Sequence, residues 1–164
     1  AGANLVAEVP LYRWQIEELS ASMDEVSMRT RHGAFIRDVD LFDHSRFGLS
    51  TAEASAMDPQ QRLVLERGYA SLHGVGLQKA DLMDTAFGVF VAIASIDHTA
   101  VLGASSAGKG VYAATSSAHS IASGRVSYVL GLQGPSVSYD TACSASLVAC
   151  HAALRATQLR ECVG

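Results

Sequence analysis

The run Ser136-Val137-Ser138-Tyr139-Asp140-Thr141-Ala142-Cys143-Ser144-Ala145-Ser146-Leu147 decides how this chain reads. Its first six residues alternate small polar with larger side chains, the period-two pattern of a strand. From Cys143 to about Arg160 the chain is rich in Ala and Leu and free of Gly and Pro, which predicts a helix. A cysteine therefore stands where a strand hands over to a helix, among side chains too small to cover it. The first turn of a helix carries unpaired N–H groups and roughly half a unit of positive charge. That field favours a thiolate, and the same N–H groups can hold an oxyanion when sulfur attacks a carbonyl. The chemical reading is an acylatable Cys143. The plain reading is a buried structural cysteine, since a free Cys packs like a small hydrophobe. Position alone leaves both open.

Cys150, two turns along the same helix in Ala/Leu surroundings, and Cys162, near an end expected to fray, are read as structural. A nucleophilic cysteine needs a base or an electrophilic partner. His151 lies eight residues on in the same helix, about 12 Å along the axis, out of reach of Cys143. His98 and His119 fall in or near loops and are assigned structural hydrogen-bonding roles. His32, His44 and His73 read as surface or helix-end residues.

Outward toward the N-terminus, Gly131-Leu132-Gln133-Gly134-Pro135 is a turn cluster. Thr115 to Leu130 predicts a helix with Ser116 or Ser117 as its cap. Gly103 to Gly110 predicts a flexible loop; it nearly matches the phosphate-cradling pattern GxxxxGK[ST], but Gly110 replaces the metal-binding hydroxyl and no helix follows. Phe87-Gly88-Val89-Phe90-Val91-Ala92-Ile93-Ala94 is continuously apolar, as in a strand buried on both faces. Asp58 to Leu72 predicts the clearest helix, with Asp58 as cap, Pro59 at the first position and Gly74 and Gly76 closing it. Leu65, Tyr69 and Leu72 share one face, and Arg62 and Glu66 are spaced to pair. Ser50 with Glu53 opens a short helix. Ala34 to Asp40 predicts a short strand or extended segment, and Gln15 to Leu19 a short helix in an otherwise irregular start containing Trp14. Strand, helix, strand, helix in this order is α/β.

The chain has 164 residues, 49% hydrophobic and only 17% charged, against a usual charged share of about 25%. This composition excludes disorder and predicts buried helices or a large apolar interface. A formal charge of −4 excludes a general nucleic-acid binder. No apolar run approaches the ~20 residues that span a membrane. Three cysteines without a CxxC pair make neither a zinc site nor a disulfide framework, so an intracellular reducing compartment, cytoplasmic or plastid, is expected. Ala1 and Gly164 read as cut ends of a longer domain.

At this point a family resemblance is evident. Asp140-Thr141-Ala142-Cys143-Ser144-Ala145-Ser146-Leu147 resembles the active-site motif of β-ketoacyl synthase domains, the ketosynthases of modular polyketide synthases. Ser123 to Ser136 is similar to that family's approach to its cysteine. Met57-Asp58-Pro59-Gln60-Gln61-Arg62-Leu63 is similar to its early helix, Phe42-Asp43 with Phe47-Gly48-Leu49-Ser50 to the segment before it, and Val9-Pro10 with Arg13-Trp14 to its first variable loop. The resemblance covers essentially all of residues 1–164 and implies a thiolase-like α/β fold, incomplete, comprising most of the N-terminal half. It implies Cys143 as nucleophile, with its backbone N–H as an oxyanion donor. It also implies decarboxylative condensation of an acyl thioester with a malonyl-type extender, in polyketide or fatty acid biosynthesis. No cofactor is bound directly and no metal is implied; substrates arrive on the phosphopantetheine arm of an acyl-carrier protein. Strand 136–141 would pair across a homodimer. The two histidines and the lysine of such enzymes have no matching motif here, so this chain alone is expected to be inactive. Ser116-Ser117 stand where the family usually has Gly-Asn, Thr51 where it has Pro, and Ala92 where it has Gly. Two other readings are a non-catalytic dimerisation or scaffold piece, and a thiolase- or chalcone-synthase-like acyltransferase using coenzyme A.

Overall fold

Side-chain oxygens that satisfy first-turn N–H groups set the starts of the early helices. Ser50 Oγ accepts from Glu53 N at 3.1 Å and starts α1, Thr51–Ala56. Asp58 Oδ1 accepts from Gln60 N at 2.7 Å, and Pro59, which has no N–H to satisfy, opens α2, Pro59–Gly74. Both caps are where the sequence puts them. The one-turn helix α3, Lys79–Leu82, follows, with the Asp81 carboxylate accepting from Gln78 N.

The structure, a computed structural model, describes residues 3–13 and 31–163. They fall into two units, 1–39 and 40–164. In the first, β1 (Ala7–Glu8) pairs antiparallel with β2 (His32–Gly33). An Arg31–Glu8 ion pair at 2.6 Å closes that ribbon. The extended segment expected over Ala34–Asp40 is not a strand: the ladder ends at Gly33. The helix expected at Gln15–Leu19 lies outside the described residues.

In the second unit β3 (Val89–Ala92) and β4 (Ser136–Tyr139) form a parallel pair, Val89 opposite Ser136 and Ala92 opposite Tyr139. Ile93 N carries the ladder one bond further, to Tyr139 O at 3.0 Å. A parallel pair needs a crossover. Here it contains α4 (His98–Gly103), two 3-10 turns (Ser106–Lys109 and Ala113–Thr115) and α5 (His119–Leu130). After β4, a 3-10 turn (Ala142–Ser144) leads into α6, Ala145–Gln158. Val163 then bridges in parallel to Phe87.

Leu65 and Leu82 are fully buried in a cluster with Phe47, Met57, Val126, Leu130 and Leu132, against which Tyr69 and Leu72 pack. Each fully buried Leu contributes about 1.5–3 kcal/mol. The α2 face expected from spacing is the one buried. A second cluster, Val91, Ile93 and Ala122, joins β3 to α5. Gly134 is needed at the turn before β4, because a Cβ there would lie 2.4 Å from Phe87 O.

Several local expectations give way to packing. Gly103–Gly110 is not an open loop, since α4 runs to Gly103 and a 3-10 turn spans Ser106–Lys109. Neither Ser116 nor Ser117 caps α5, which starts at His119 with no side-chain cap. Ser116 is instead buried, its carbonyl accepting from Asp58 N at 2.8 Å and its hydroxyl donating to Ala113 O. Arg62 and Glu66 do not pair; burial lowers the Arg62 pKa against the raising fields of Asp58, Asp40 and Glu66.

Candidate active site around Cys143

Cys143 is exposed and sits in the single 3-10 turn between the end of β4 and the start of α6. Its position is built by short local contacts. Asp140 Oδ1 accepts from Ala142 N at 3.3 Å. Thr141 O accepts from Ser144 N at 3.2 Å and from Ser144 Oγ at 2.8 Å. Between them Ala142 takes φ +51°, a left-handed conformation that non-glycine residues adopt at some cost. This kink lies between strand and helix, in a turn whose residues 141–144, Cys143 among them, are all exposed. The turn lies at the carboxyl end of the parallel strands, where α/β sheets bind ligands. α6, 14 residues long, begins two residues after the thiol, which places Cys143 next to the positive end of its dipole; the Ala145 N–H at its head is already taken by Ala142 O. Ala142, Ser144, Ala145 and Ser146 leave the approach open.

The histidines do not converge on Cys143 through any hydrogen bond. His98 Nε2 lies 3.3 Å from Ala56 O, His119 Nε2 3.3 Å from Ser95 O, and His44 Nδ1 2.7 Å from Leu49 O. These are structural contacts to backbone carbonyls. His32, His73 and His151 are exposed. No group of three or more His, Cys, Asp or Glu among the described residues could hold a metal ion. No helix among them is long and apolar enough to cross a membrane.

Of the two cysteines read as structural, Cys162 is buried as that reading requires, though not at a frayed end, and Cys150 is exposed against it. Cys150, expected inside Ala/Leu packing, is exposed, because α6 buries Ala145, Ala149 and Ala156 instead. Cys162, expected at a frayed end, is buried, its Sγ close to Gly88 and held there by the Val163–Phe87 bridge. Cys150 and Ser146 face a cleft of about 650 Å³ with walls from α2, β3 and α6. Cys143 does not line it. The lining is chiefly apolar, including Val64, Leu72, Phe90 and Ala149, and reads as packing space rather than a reaction chamber.

The sequence model for "Beta-ketoacyl synthase, N-terminal domain" matches residues 1–163. The chain belongs to the β-ketoacyl synthase family. A phenolphthiocerol/phthiocerol polyketide synthase polypeptide from Mycobacterium tuberculosis is 41% identical over 163 residues, covering 98% of this chain and 11% of that protein. A spectinabilin polyketide synthase system protein from Streptomyces orinoci is 42% identical over 165 residues, 99% of this chain and 7% of its own length. Among solved structures, the ketosynthase from module 6 of the Bacillus subtilis bacillaene synthase superposes with a TM-score of 0.79 at 30% identity, covering 97% of this chain and 25% of that one. An oxazolomycin ketosynthase domain from Streptomyces albus gives 0.80 at 34%, covering 96% and 28%. The α/β fold is thus the thiolase-like fold of ketosynthase domains. This ketosynthase chain spans about a quarter of the ketosynthase structures it matches and a ninth or less of these polyketide synthase polypeptides.

Local sequence reading misses a buried polar network that joins α1, α2 and α5. Arg125 Nη1 on α5 pairs with Glu53 Oε1 on α1, and Arg125 Nε donates to Gln61 Oε1 on α2 at 3.2 Å. Gln61 Nε2 in turn donates toward Thr115 O and Ala118 O, at 3.3 and 3.4 Å. The available signal was an arginine inside an apolar helical stretch, which demands a partner when buried.

Proposed function

We propose that this chain is the part of a ketosynthase domain that carries its acyl-accepting nucleophile, Cys143. One observation carries the reading: an exposed cysteine in the turn between the end of a parallel strand and the start of a long helix, in a chain of this family. In the first stage the Cys143 thiolate attacks the carbonyl of an acyl thioester on the phosphopantetheine arm of an acyl-carrier protein. The new S–C bond forms and the carrier thiol leaves. In the second stage a malonyl-type extender loses carbon dioxide. Its carbanion attacks the Cys143 thioester, forming a C–C bond and releasing the Cys143 thiolate. The backbone N–H of Cys143, with the positive end of the α6 dipole beside it, holds the oxyanion in both stages.

The residues that resembling enzymes use for decarboxylation find no match in this chain, so condensation is assigned to the complete domain and this chain alone is inactive. A second copy is the natural partner for β4, which is paired only with β3 among the described residues and carries small side chains at Ser136 and Ser138. The cysteine argues against a non-catalytic scaffold, and the likeness to modular polyketide synthases argues for carrier-bound rather than coenzyme A substrates.

The test is mass mapping of a complete ketosynthase domain containing this chain after brief exposure to an electrophilic thioester or a cerulenin-like inhibitor. Cys143 is expected to label first, exposed Cys150 more slowly and buried Cys162 least. Equal labelling of Cys143 and Cys150 removes the reading, because exposure alone then explains reactivity.

A further inference from the structure

We infer that Ser138 is a positioning residue for Cys143, fixing the strand that delivers the thiol by tying β4 to the head of α5; this rests on the function proposed above. Ser138 Oγ donates to His119 O at 2.7 Å and lies 3.0 Å from Ser123 Oγ. Ser123 is 1% exposed and Ser138 is half-buried. Ser138 stands directly opposite Val91, which belongs to the apolar cluster with Ile93 and Ala122. Both hydroxyls are satisfied, Ser138 Oγ by His119 O and Ser123 Oγ by Ser120 O, so together they form a side-chain cross-link from β4 to α5 at the edge of the cluster.

The link has a rigid anchor. The His119 ring lies 3.3 Å from Ser95 O, which also accepts from Gln60 Nε2 at 2.9 Å, so the head of α5 is tied both to the segment following β3 and to α2. β4 has ladder partners on one side only among the described residues. From Ser138 to the thiol the chain passes Tyr139, whose O accepts from Ile93 N at 3.0 Å, and then the kink at Ala142, so the side-chain link at Ser138 adds to the last ladder bond before Cys143. Acylation requires the oxyanion donors within about 2.7–3.1 Å of the developing charge. Alkylation by a small haloamide has no such requirement.

The experiment compares Ser138→Ala and Ser138→Thr in a complete ketosynthase domain containing this chain. Two rates at Cys143 are read by mass mapping: acylation by a short acyl N-acetylcysteamine thioester, and alkylation by iodoacetamide. Ser138→Ala is expected to slow acylation about tenfold, the scale of sub-ångström misplacement, with alkylation changed less than twofold. Ser138→Thr, which keeps the hydroxyl, restores acylation to within twofold. Acylation unchanged in Ser138→Ala, or both rates falling together, overturns the proposal. If Ser138→Ala does not fold, Ser123→Ala removes the weaker contact and is read the same way, about threefold slower acylation being expected and an unchanged rate overturning it. Failure of the functional reading is distinct: Cys143 in the unaltered domain would then acylate no faster than Cys150.

Discussion

Removing the Glu53 carboxylate tests the buried network most sharply. Arg125 is 8% exposed and its guanidinium has two acceptors, the Glu53 carboxylate and the neutral Gln61 amide oxygen. Glu53→Ala leaves a buried positive charge with one neutral partner. Breaking a buried pair from one side costs about 3–5 kcal/mol. The Glu53 side chain is 22% exposed, so water reaches that end of the pair and the lower limit, about 3 kcal/mol, is the expected value. Arg125→Met strands the better-hydrated carboxylate and also leaves the buried Gln61 Oε1 without its donor, so its cost should be of similar size. The double change Glu53→Leu with Arg125→Met removes both charges and leaves only the buried Gln61 Oε1 unpaired, so it should cost about 1–3 kcal/mol, well below the sum of the single changes. Urea unfolding of a complete ketosynthase domain, at unchanged m, measures all three. A Glu53→Ala cost below about 1 kcal/mol, or single effects that simply add in the double variant, would refute the claim that this pair is buried and coupled.

Two further outcomes follow from packing. Gly134→Ala would bring a Cβ to 2.4 Å from Phe87 O and 2.7 Å from Ala86 O, both backbone atoms that cannot swing aside; a loss of about 1–3 kcal/mol is expected, read as a lower urea midpoint, and an unchanged midpoint would contradict it. Residues 1–164 expressed alone should self-associate in sedimentation, because α6 exposes Leu147 (75%) and Leu154 (56%); a monodisperse monomer with a cooperative melt would contradict this.

Much of the local architecture is legible in the chain because its signals act within one helical turn. Ser50 and Asp58 reach only two or three residues to accept their N–H bonds, and Gly131 ends α5 at φ +72°. The position of Cys143 at a strand–helix junction is legible for the same reason. The failures share a cause. Ser116 is a good cap by local rules, yet its carbonyl is taken by Asp58 N, 58 residues away in sequence, and the helix starts three residues later. The exposure of Cys150 and burial of Cys162 depend on which face of α6 meets β3 and on where Val163 docks.

The amino-acid sequence by itself determined the two strands of the parallel pair, the helices that follow Ser50 and Asp58 with those caps, the helices on either side of β4, and a small-residue turn presenting a cysteine near the head of a helix; the motifs around that turn also carried the family. Only the tertiary structure decided that Arg125 meets Glu53 across 72 residues, that Ser138 is tied to His119 and Ser123, and that Cys150 rather than Cys162 faces solvent. Caps and turns are interactions among neighbours along the chain. Burial and long-range pairing depend on which distant segments the fold places in contact.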